Sequence, residues 1–365
     1  MVKVKKAYRY EPDYAVPPGE TLKEVLESLG MKQRELADRT GLTVQSINRI
    51  ANAEQCISAE TANRLELATG VPARLWNNLE ARYRERETKA EERRRLQQQL
   101  NWLDDIPVEE LVNRGAVREC SDKAAQLREV LSFFGVSSVS AWRTVWERHP
   151  VAARKSKSFE TCLGPTAAWL RLGELQARRT ECEPFDENRF RKSLQQIRSL
   201  TVRTPEEFLP EMKALCAQAG VALVLVPGMP GTPWYGAVRW LTKDKVMILL
   251  SLRGKRDDQF WFSFYHEAGH VLLHGKKMLF VDDDGNEGPK EQEADSFAES
   301  YLIPPEYRER LRRLRSKLQI REFAKELGIA PGIVVGQYQY LTGKWDWFND
   351  LKRKLTGSKP DQKAG

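Results

Sequence analysis

The sequence has few of the features that define secreted, membrane or cysteine-rich metal proteins. Its longest apolar runs are only as long as a strand, so we expect no membrane-spanning segment. We find no signal-peptide pattern and expect a cytoplasmic protein. The five cysteines are scattered without zinc-ligand spacing and cannot all pair with one another. Only four histidines occur in 365 residues, so their positions are informative.

The overall composition fits a nucleic-acid-binding protein without establishing one. The net charge is +8 and the isoelectric point is near 9.1. An excess of positive charge favours binding to polyanions but says nothing about the fold. The length alone suggests two or three domains.

Three of the four histidines fall within nine residues, at His266, His270 and His274. On a helix, the first two lie one turn apart and point to the same side. Two neutral imidazoles so placed can hold one Zn²⁺, and Glu267 beside them could take a proton from an activated water. We predict a buried zinc helix over 257–274, because aromatic residues precede the motif and apolar ones follow it. The alternative is a buried helix with two structural histidines.

The third metal ligand is expected on a second helix, over residues 289–303, with Pro289 suiting its start. Helical spacing places Glu291 and Asp295 on one face, while Glu293 points elsewhere. Glu291 is therefore the favoured ligand. Asp295 is placed to accept a proton from a ligating histidine. Glu293 remains a rival for the ligand position.

These two segments resemble a known family. His266–His274 and Glu291–Pro304 are similar to the motifs of the ImmA/IrrE family of zinc metallopeptidases. Members of that family are typically endopeptidases that cut helix-turn-helix repressors and so switch on stress-response or mobile-element genes. His274 matches the family pattern, either as a packing residue or as a support for the ligands. The resemblance implies a gluzincin-like site with zinc on His266, His270 and Glu291 and with Glu267 as the base.

The N-terminal region has the pattern of a helix-turn-helix unit. An amphipathic helix over 21–30 is followed by two short helices that a glycine-containing turn at Gly41 separates. A further helix over 58–69 closes the bundle. The residues expected to face DNA are Gln33, Thr43, Val44, Gln45, Ser46, Asn48 and Arg49.

This segment, over residues 15–83, resembles HigA-type antitoxins of the XRE family. The resemblance implies binding to duplex DNA, as a homodimer on an inverted-repeat operator. The chain departs from the family pattern at Lys32, where a serine is usual. It also has Ala53 and Glu54 where a glycine and a basic residue usually follow the recognition helix. An acid at that point weakens the attraction to phosphates.

The remaining sequence divides by composition and periodicity. The middle region should be helical, with Trp142, Trp146, Trp169 and Leu170 in its core, and residues 320–338 again have a helix-turn-helix outline. Three strands are predicted over 222–226, 236–241 and 246–250. The predicted parts are a flexible arm (1–14), the DNA-binding domain (15–83), a charged spacer helix (84–105), the helical middle region (106–204), the peptidase domain (205–303), a C-terminal helical region (304–352) and a polar tail (353–365).

The fold class expected is multidomain and mainly α, with an all-α helix-turn-helix bundle and an α+β gluzincin-like domain that contains a small sheet. The predicted function is a transcriptional regulator whose zinc endopeptidase cleaves one regulatory protein: a repressor, a toxin partner or its own linker. One rival is a non-proteolytic HigA-like antitoxin in which the peptidase fold acts as a sensor or dimeriser. Another is a closed structural zinc site. Four residues could stabilise an oxyanion, and no spacing argument separates them: Tyr265, Arg253, His274 and Tyr301.

Overall fold

The computed structural model describes residues 16–146, 162–251, 256–275, 280–281 and 288–355, so the predicted arm at 1–14 lies outside the described residues. The chain forms two compact units, one up to Gln99 and one from Leu100 onward. The described residues confirm the expected fold class, a mainly α chain with an N-terminal helical bundle and one small mixed sheet. None of the helices in the described ranges combines the length and the apolar character that crossing a membrane requires.

The N-terminal unit is a five-helix bundle around a core that includes Leu22, Leu36 and Trp76, all fully buried. A Cβ atom on Gly19 would lie 2.4 Å from two backbone oxygens at the end of α3, so the missing side chain lets α1 pack closely on that helix. The helices are α1 (Pro18–Ser28), α2 (Gln33–Thr40), α3 (Val44–Ala51), α4 (Ala59–Thr69) and α5 (Ala73–Gln97).

The charged helix predicted as a spacer is the second half of α5. That helix begins at Ala73 and ends at Gln97, where a 3₁₀ segment, Leu100–Asp105, follows. The helical part therefore starts earlier and ends earlier than the predicted 84–105 segment. The boundary at residue 83 remains a prediction, because α5 runs through it without a break.

The second unit begins with helices that precede the sheet in the chain, and the fourth and sixth of them contact its strands. Trp142, Trp146, Trp169 and Leu170 are buried, as predicted for the core. The sequence analysis missed the sixth of these helices, although Thr204 and Glu207 form a capping box at its start. The helices are α6 (Val108–Asn113), α7 (Lys123–Phe134), α8 (Val139–Trp146), α9 (Leu163–Arg179), α10 (Glu187–Ser199) and α11 (Pro205–Gln218).

Over the part of the chain that the structure describes, the sheet has four strands in the order β1-β3-β2-β4. Strand β1 pairs with β3 in parallel, and β2 is antiparallel to both of its neighbours. The three predicted strands agree with the structure to within one residue at each end, whereas the short β4 was not predicted. The strands are β1 (Val221–Leu225), β2 (Gly236–Thr242), β3 (Lys245–Leu250) and β4 (Phe280–Val281).

In the described residues after β3 there are five α-helices, and the first of them contacts the sheet, the second helix and the last helix. In the last helix Ile333, Val334, Val335 and Tyr338 are buried, so the helix-turn-helix outline at 320–338 offers no exposed recognition helix. The helices are α12 (Asp257–Leu273), α13 (Pro289–Leu302), α14 (Arg308–Arg312), α15 (Lys317–Leu327) and α16 (Pro331–Thr342).

Arg353, the first residue of the predicted polar tail, contacts the start of α12. The backbone N–H of Arg353 donates to Asp257 Oδ1 at 3.0 Å, and its Nε donates to Oδ2 at 3.2 Å. In return, the Asp257 N–H donates to the Arg353 carbonyl at 2.9 Å. These contacts hold Arg353 against the start of α12. Residues 356–365 lie outside the described part.

Candidate metal centre and nucleic-acid interface

Helix α12 carries the histidine motif through the core of the second unit. Asp257 and Asp258 lie in its first turn, where negative charge is favourable to the helix dipole. A Cβ on Gly269 would lie only 3.2 Å from the Cα of Ala294 on α13. The absence of a side chain at Gly269 therefore allows α12 and α13 to approach closely, which brings the motif within reach of α13.

His266, His270 and Glu291 converge at this helix pair. The two Nε2 atoms lie 3.0 Å apart, and Glu291 Oε2 lies 3.1 Å from one and 3.0 Å from the other. All three residues are buried, with exposures of 4 % or less. One potential ligand atom from each lies within 4.8 Å of those from the other two. Two nitrogens and one carboxylate oxygen so arranged are the donor set of a catalytic zinc site.

The other ring nitrogens of the two histidines are also occupied. His266 Nδ1 lies 2.8 Å from Asp295 Oδ1. His270 Nδ1 lies 2.9 Å from His274 Nδ1, and His274 Nε2 lies 3.0 Å from Glu293 Oε2. Glu293 is thus directed to His274 and not to the three converging donors. The structure places Glu291, and not its rival, beside both histidines.

Burial and mutual contact set the protonation of the donors. Burial lowers the pKa of His270 to about 4, so its ring is neutral near pH 7. Burial acts to raise the pKa of Glu291, but its close contacts with His266 and His270 prevail and bring it to about 2. A neutral imidazole and an ionised carboxylate are the forms that bind a metal ion.

Glu267 is fully buried beside these donors. A Cβ on Gly236, the first residue of β2, would lie 2.3 Å from Glu267 Oε1, so the strand backbone runs directly past this carboxylate. The Phe280 ring of β4 stacks on His270 at 4.1 Å. The sequence analysis singled out neither Gly236 nor Phe280. A glycine within a predicted strand is a known sign of close approach and could have found the first.

The candidates for oxyanion stabilisation are mostly engaged elsewhere. The Tyr265 hydroxyl donates to the Leu194 carbonyl at 2.9 Å, and the Tyr301 hydroxyl donates to the Arg191 carbonyl at 3.2 Å. His274 bridges His270 and Glu293, as described above. Arg253, the fourth candidate, lies outside the described residues.

The recognition helix predicted in the N-terminal unit is α3. Its cap is Thr43, whose hydroxyl oxygen accepts from the Ser46 N–H at 3.0 Å. Ser46 Oγ also accepts from Gln55 at 2.9 Å. Of the residues expected to face DNA, Ser46 and Gln33 are half-buried, and the exposed ones are Thr43, Val44, Gln45, Asn48 and Arg49.

A second polar residue of this face has an intramolecular partner. Asn48 Oδ1 accepts from Asn52 Nδ2 at 3.1 Å. Gln45 and Arg49 are therefore the residues of this face that are best placed for polar contacts with DNA.

Ala53, one of the departures from the family pattern, has a left-handed backbone. Its φ is 61°, a conformation that glycine adopts freely and alanine does not. The neighbouring Glu54 N–H donates to the Arg49 carbonyl at 2.8 Å and closes the end of α3. Glycine is usual at this position because it adopts a positive φ without strain. In this chain, alanine occupies the same conformation and is strained there.

Comparisons with known proteins match two segments of the chain. Residues 22–76 match the family model described as Helix-turn-helix. Residues 224–335 match the peptidase family model described as IrrE N-terminal-like domain. A search of curated proteins finds no match. The two family matches confirm the predicted fusion of a helix-turn-helix segment, a type that binds DNA, with a domain of the metallopeptidase type.

Proposed function

We propose that this protein is a DNA-binding regulator whose second unit is a zinc endopeptidase that cleaves one specific regulatory protein. The observation that carries the proposal is the convergence of His266, His270 and Glu291, with buried Glu267 beside them. A structural histidine pair does not require an adjacent buried carboxylate. The helix-turn-helix match supports placing this chemistry at a promoter.

The donor set fits Zn²⁺. His266 and His270 would supply Nε2 and Glu291 would supply Oε2, and these atoms already lie within about 3 Å of one another. Three protein ligands leave a further position open, as in catalytic zinc sites and unlike closed structural sites. When bound, Zn²⁺ would supply Lewis acidity that polarises a scissile carbonyl and acidifies a water.

The chain's own residues would perform the proton transfers and hold the site in place. Glu267, shielded from solvent, takes the proton of the attacking water and delivers it to the leaving amine. Asp295 accepts a hydrogen bond from His266 Nδ1, which fixes that ring with Nε2 toward the donors. Strand β4 lies at an edge of the sheet and its Phe280 stacks on His270, so its backbone offers a strand along which an extended peptide could lie.

Metal content and cleavage test the peptidase half separately. Purified protein should hold about one Zn²⁺ per chain, and His270→Ala should lose it because one of three ligands is gone. Glu267→Gln should keep the zinc and lose cleavage of the partner protein. Near-full zinc in the His270→Ala protein would refute the ligand assignment, and wild-type cleavage by Glu267→Gln would refute its role as base.

The regulatory half is tested by comparing transcripts and operator occupancy. The substrate is expected to be a repressor, a toxin partner or the chain's own linker, so unfolded casein should be cut poorly. Glu267→Gln should occupy the operator, an inverted repeat bound by a homodimer, but should change target transcripts less under stress. Identical regulation by both proteins would favour the non-proteolytic antitoxin, in which the peptidase fold serves as a sensor or dimeriser.

A further inference from the structure

The two histidines of the candidate metal centre are supported in different ways. His266 contacts a carboxylate directly, through Asp295. His270 contacts a second histidine, His274, which in turn contacts Glu293. We propose that Glu293 is a positioning residue, the terminal carboxylate of a relay through His274 that orients His270 for zinc. This inference rests on the proposed zinc site and assigns Glu293 a role other than ligand.

The relay has one consistent arrangement of hydrogens. A histidine that ligates through Nε2 carries its hydrogen on Nδ1. His270 Nδ1 therefore donates to His274 Nδ1 across 2.9 Å. Since that atom accepts, His274 carries its own hydrogen on Nε2, which donates to Glu293 Oε2 across 3.0 Å. A carboxylate suits the end of this chain of hydrogen bonds, because an ionised carboxylate accepts hydrogen bonds and cannot donate them.

The side chains of His274 and Glu293 differ in their exposure, and this difference assigns each its part in the relay. The His274 side chain is 3 % exposed, whereas that of Glu293 is 62 % exposed. His274 needs an acceptor for its Nε2 hydrogen at this depth, and Glu293 provides it from the surface. Phe280 lies 5.2 Å from the His274 ring and 4.1 Å from the His270 ring, so both imidazoles are held against one aromatic face.

The two supports should contribute independently to zinc affinity. Partners that hold a ligating histidine through its second nitrogen typically contribute about 10–100-fold to metal affinity. Asp295 acts on His266 and Glu293 acts on His270, through different atoms. Their effects should therefore combine additively in free energy, whereas those of Glu293 and His274 should not.

The test is a double-mutant cycle on the zinc dissociation constant of the full chain, measured by competition with a chelator. We expect Glu293→Ala to weaken zinc binding by about 10-fold or more, and Glu293→Gln by less, because the amide oxygen still accepts from His274. In a His274→Ala background, Glu293→Ala should have no further effect. In an Asp295→Asn background its full effect should remain. The absorption spectrum of the Co²⁺-loaded protein should change in Glu293→Ala, since the orientation of a ligand has changed.

Glu299→Gln is the matched control, since it removes a carboxylate from the same helix, where Glu299 lies 3.7 Å from Arg308. It should leave zinc affinity within about two-fold of wild type. Wild-type affinity in Glu293→Ala, or an equal loss with and without His274, overturns the relay. The proposed zinc site would survive that result, because it fails only if His270→Ala keeps its zinc. Because Glu293 is exposed, its variants should fold as the wild type does, and circular dichroism checks this separately from the metal effect.

Discussion

Arg353→Ala should destabilise the second unit by removing the charged partner of a buried carboxylate. Asp257 is 0 % exposed and is the first residue of α12, which carries His266 and His270. Arg353 contacts it through both Nε and the backbone N–H, and its guanidinium also donates to the Arg203 carbonyl at 3.0 Å. The substitution removes the side-chain contacts and keeps the backbone one.

The expected loss of stability follows from the burial of the Asp257–Arg353 ion pair. Breaking a fully buried ion pair costs about 3–5 kcal/mol, because the remaining charge is left without its partner. The Arg353 side chain is 40 % exposed, so solvent screens part of this, and we expect about 2–4 kcal/mol. For a unit of this size, that corresponds to a fall in melting temperature of about 5–15 °C.

The loss should depend on pH in a defined direction. Burial raises the pKa of Asp257, and Arg353 opposes that rise. Without Arg353 the folded-state pKa rises further above the unfolded value. A carboxyl group with a raised folded pKa favours folding at low pH, and this contribution disappears as the pH rises through the folded pKa. The difference between wild type and variant should therefore be largest near pH 8 and shrink toward pH 5.

Thermal unfolding by calorimetry at several pH values measures both effects. Arg310→Ala is the control, since Arg310 makes a two-bond pair with Glu326 at the surface, at 2.6 and 2.7 Å. Exposed pairs contribute about 0–1 kcal/mol, so this variant should barely change the melting temperature. If Arg353→Ala lowers it no more than Arg310→Ala, or if the difference grows on acidification, the reasoning is refuted.

Three further substitutions test local features. Ala53→Gly should stabilise the N-terminal unit by about 0.5–1 kcal/mol, because it relieves the positive φ, and slower hydrogen exchange in α3 would show this. Gly236→Ala should reduce cleavage by about 10²-fold with zinc retained, because its Cβ would displace Glu267, while Gly275→Ala, which meets nothing within 4 Å, should not. Arg49→Ala should weaken operator binding and reduce the salt slope by about one, as measured by titration at several salt concentrations; an unchanged slope would show that Arg49 contacts no phosphate.

The local periodicity of the sequence predicts the metal helix well. The expected range 257–274 differs from the observed Asp257–Leu273 by one residue. The choice between Glu291 and Glu293 also follows from helical spacing. Residues two positions apart on a helix point in nearly opposite directions, so only one of the two can face α12. Helical spacing does not predict that Glu293 contacts His274. That contact depends on where α12 ends and on the orientation of the His274 ring.

Contacts between residues far apart in the sequence could not be predicted from local sequence patterns. The pairing of Arg353 with Asp257 spans 96 positions, and nothing in either local sequence indicates it. The two residues of β4 are too few for a periodic pattern to be recognised. The hydrogen-bond partners of Ser46 and Asn48 lie just beyond the end of α3. A helical wheel therefore shows which way Ser46 and Asn48 point, but not that their side chains are already hydrogen-bonded.

The glycine at 269 bears on which metal ions the proposed zinc site would accept. The separation of α12 and α13 at this point is set by a missing side chain, with Ala294 Cα 3.2 Å from where a Cβ would stand. The histidine ligands lie on one helix and the carboxylate on the other, so this separation fixes the span between them. Zinc bonds to nitrogen and oxygen are about 2.0–2.2 Å, whereas Ca²⁺ requires about 2.3–2.6 Å and more oxygen ligands. At the proposed zinc site, ion selectivity would thus be governed partly by a residue that donates nothing to the ion.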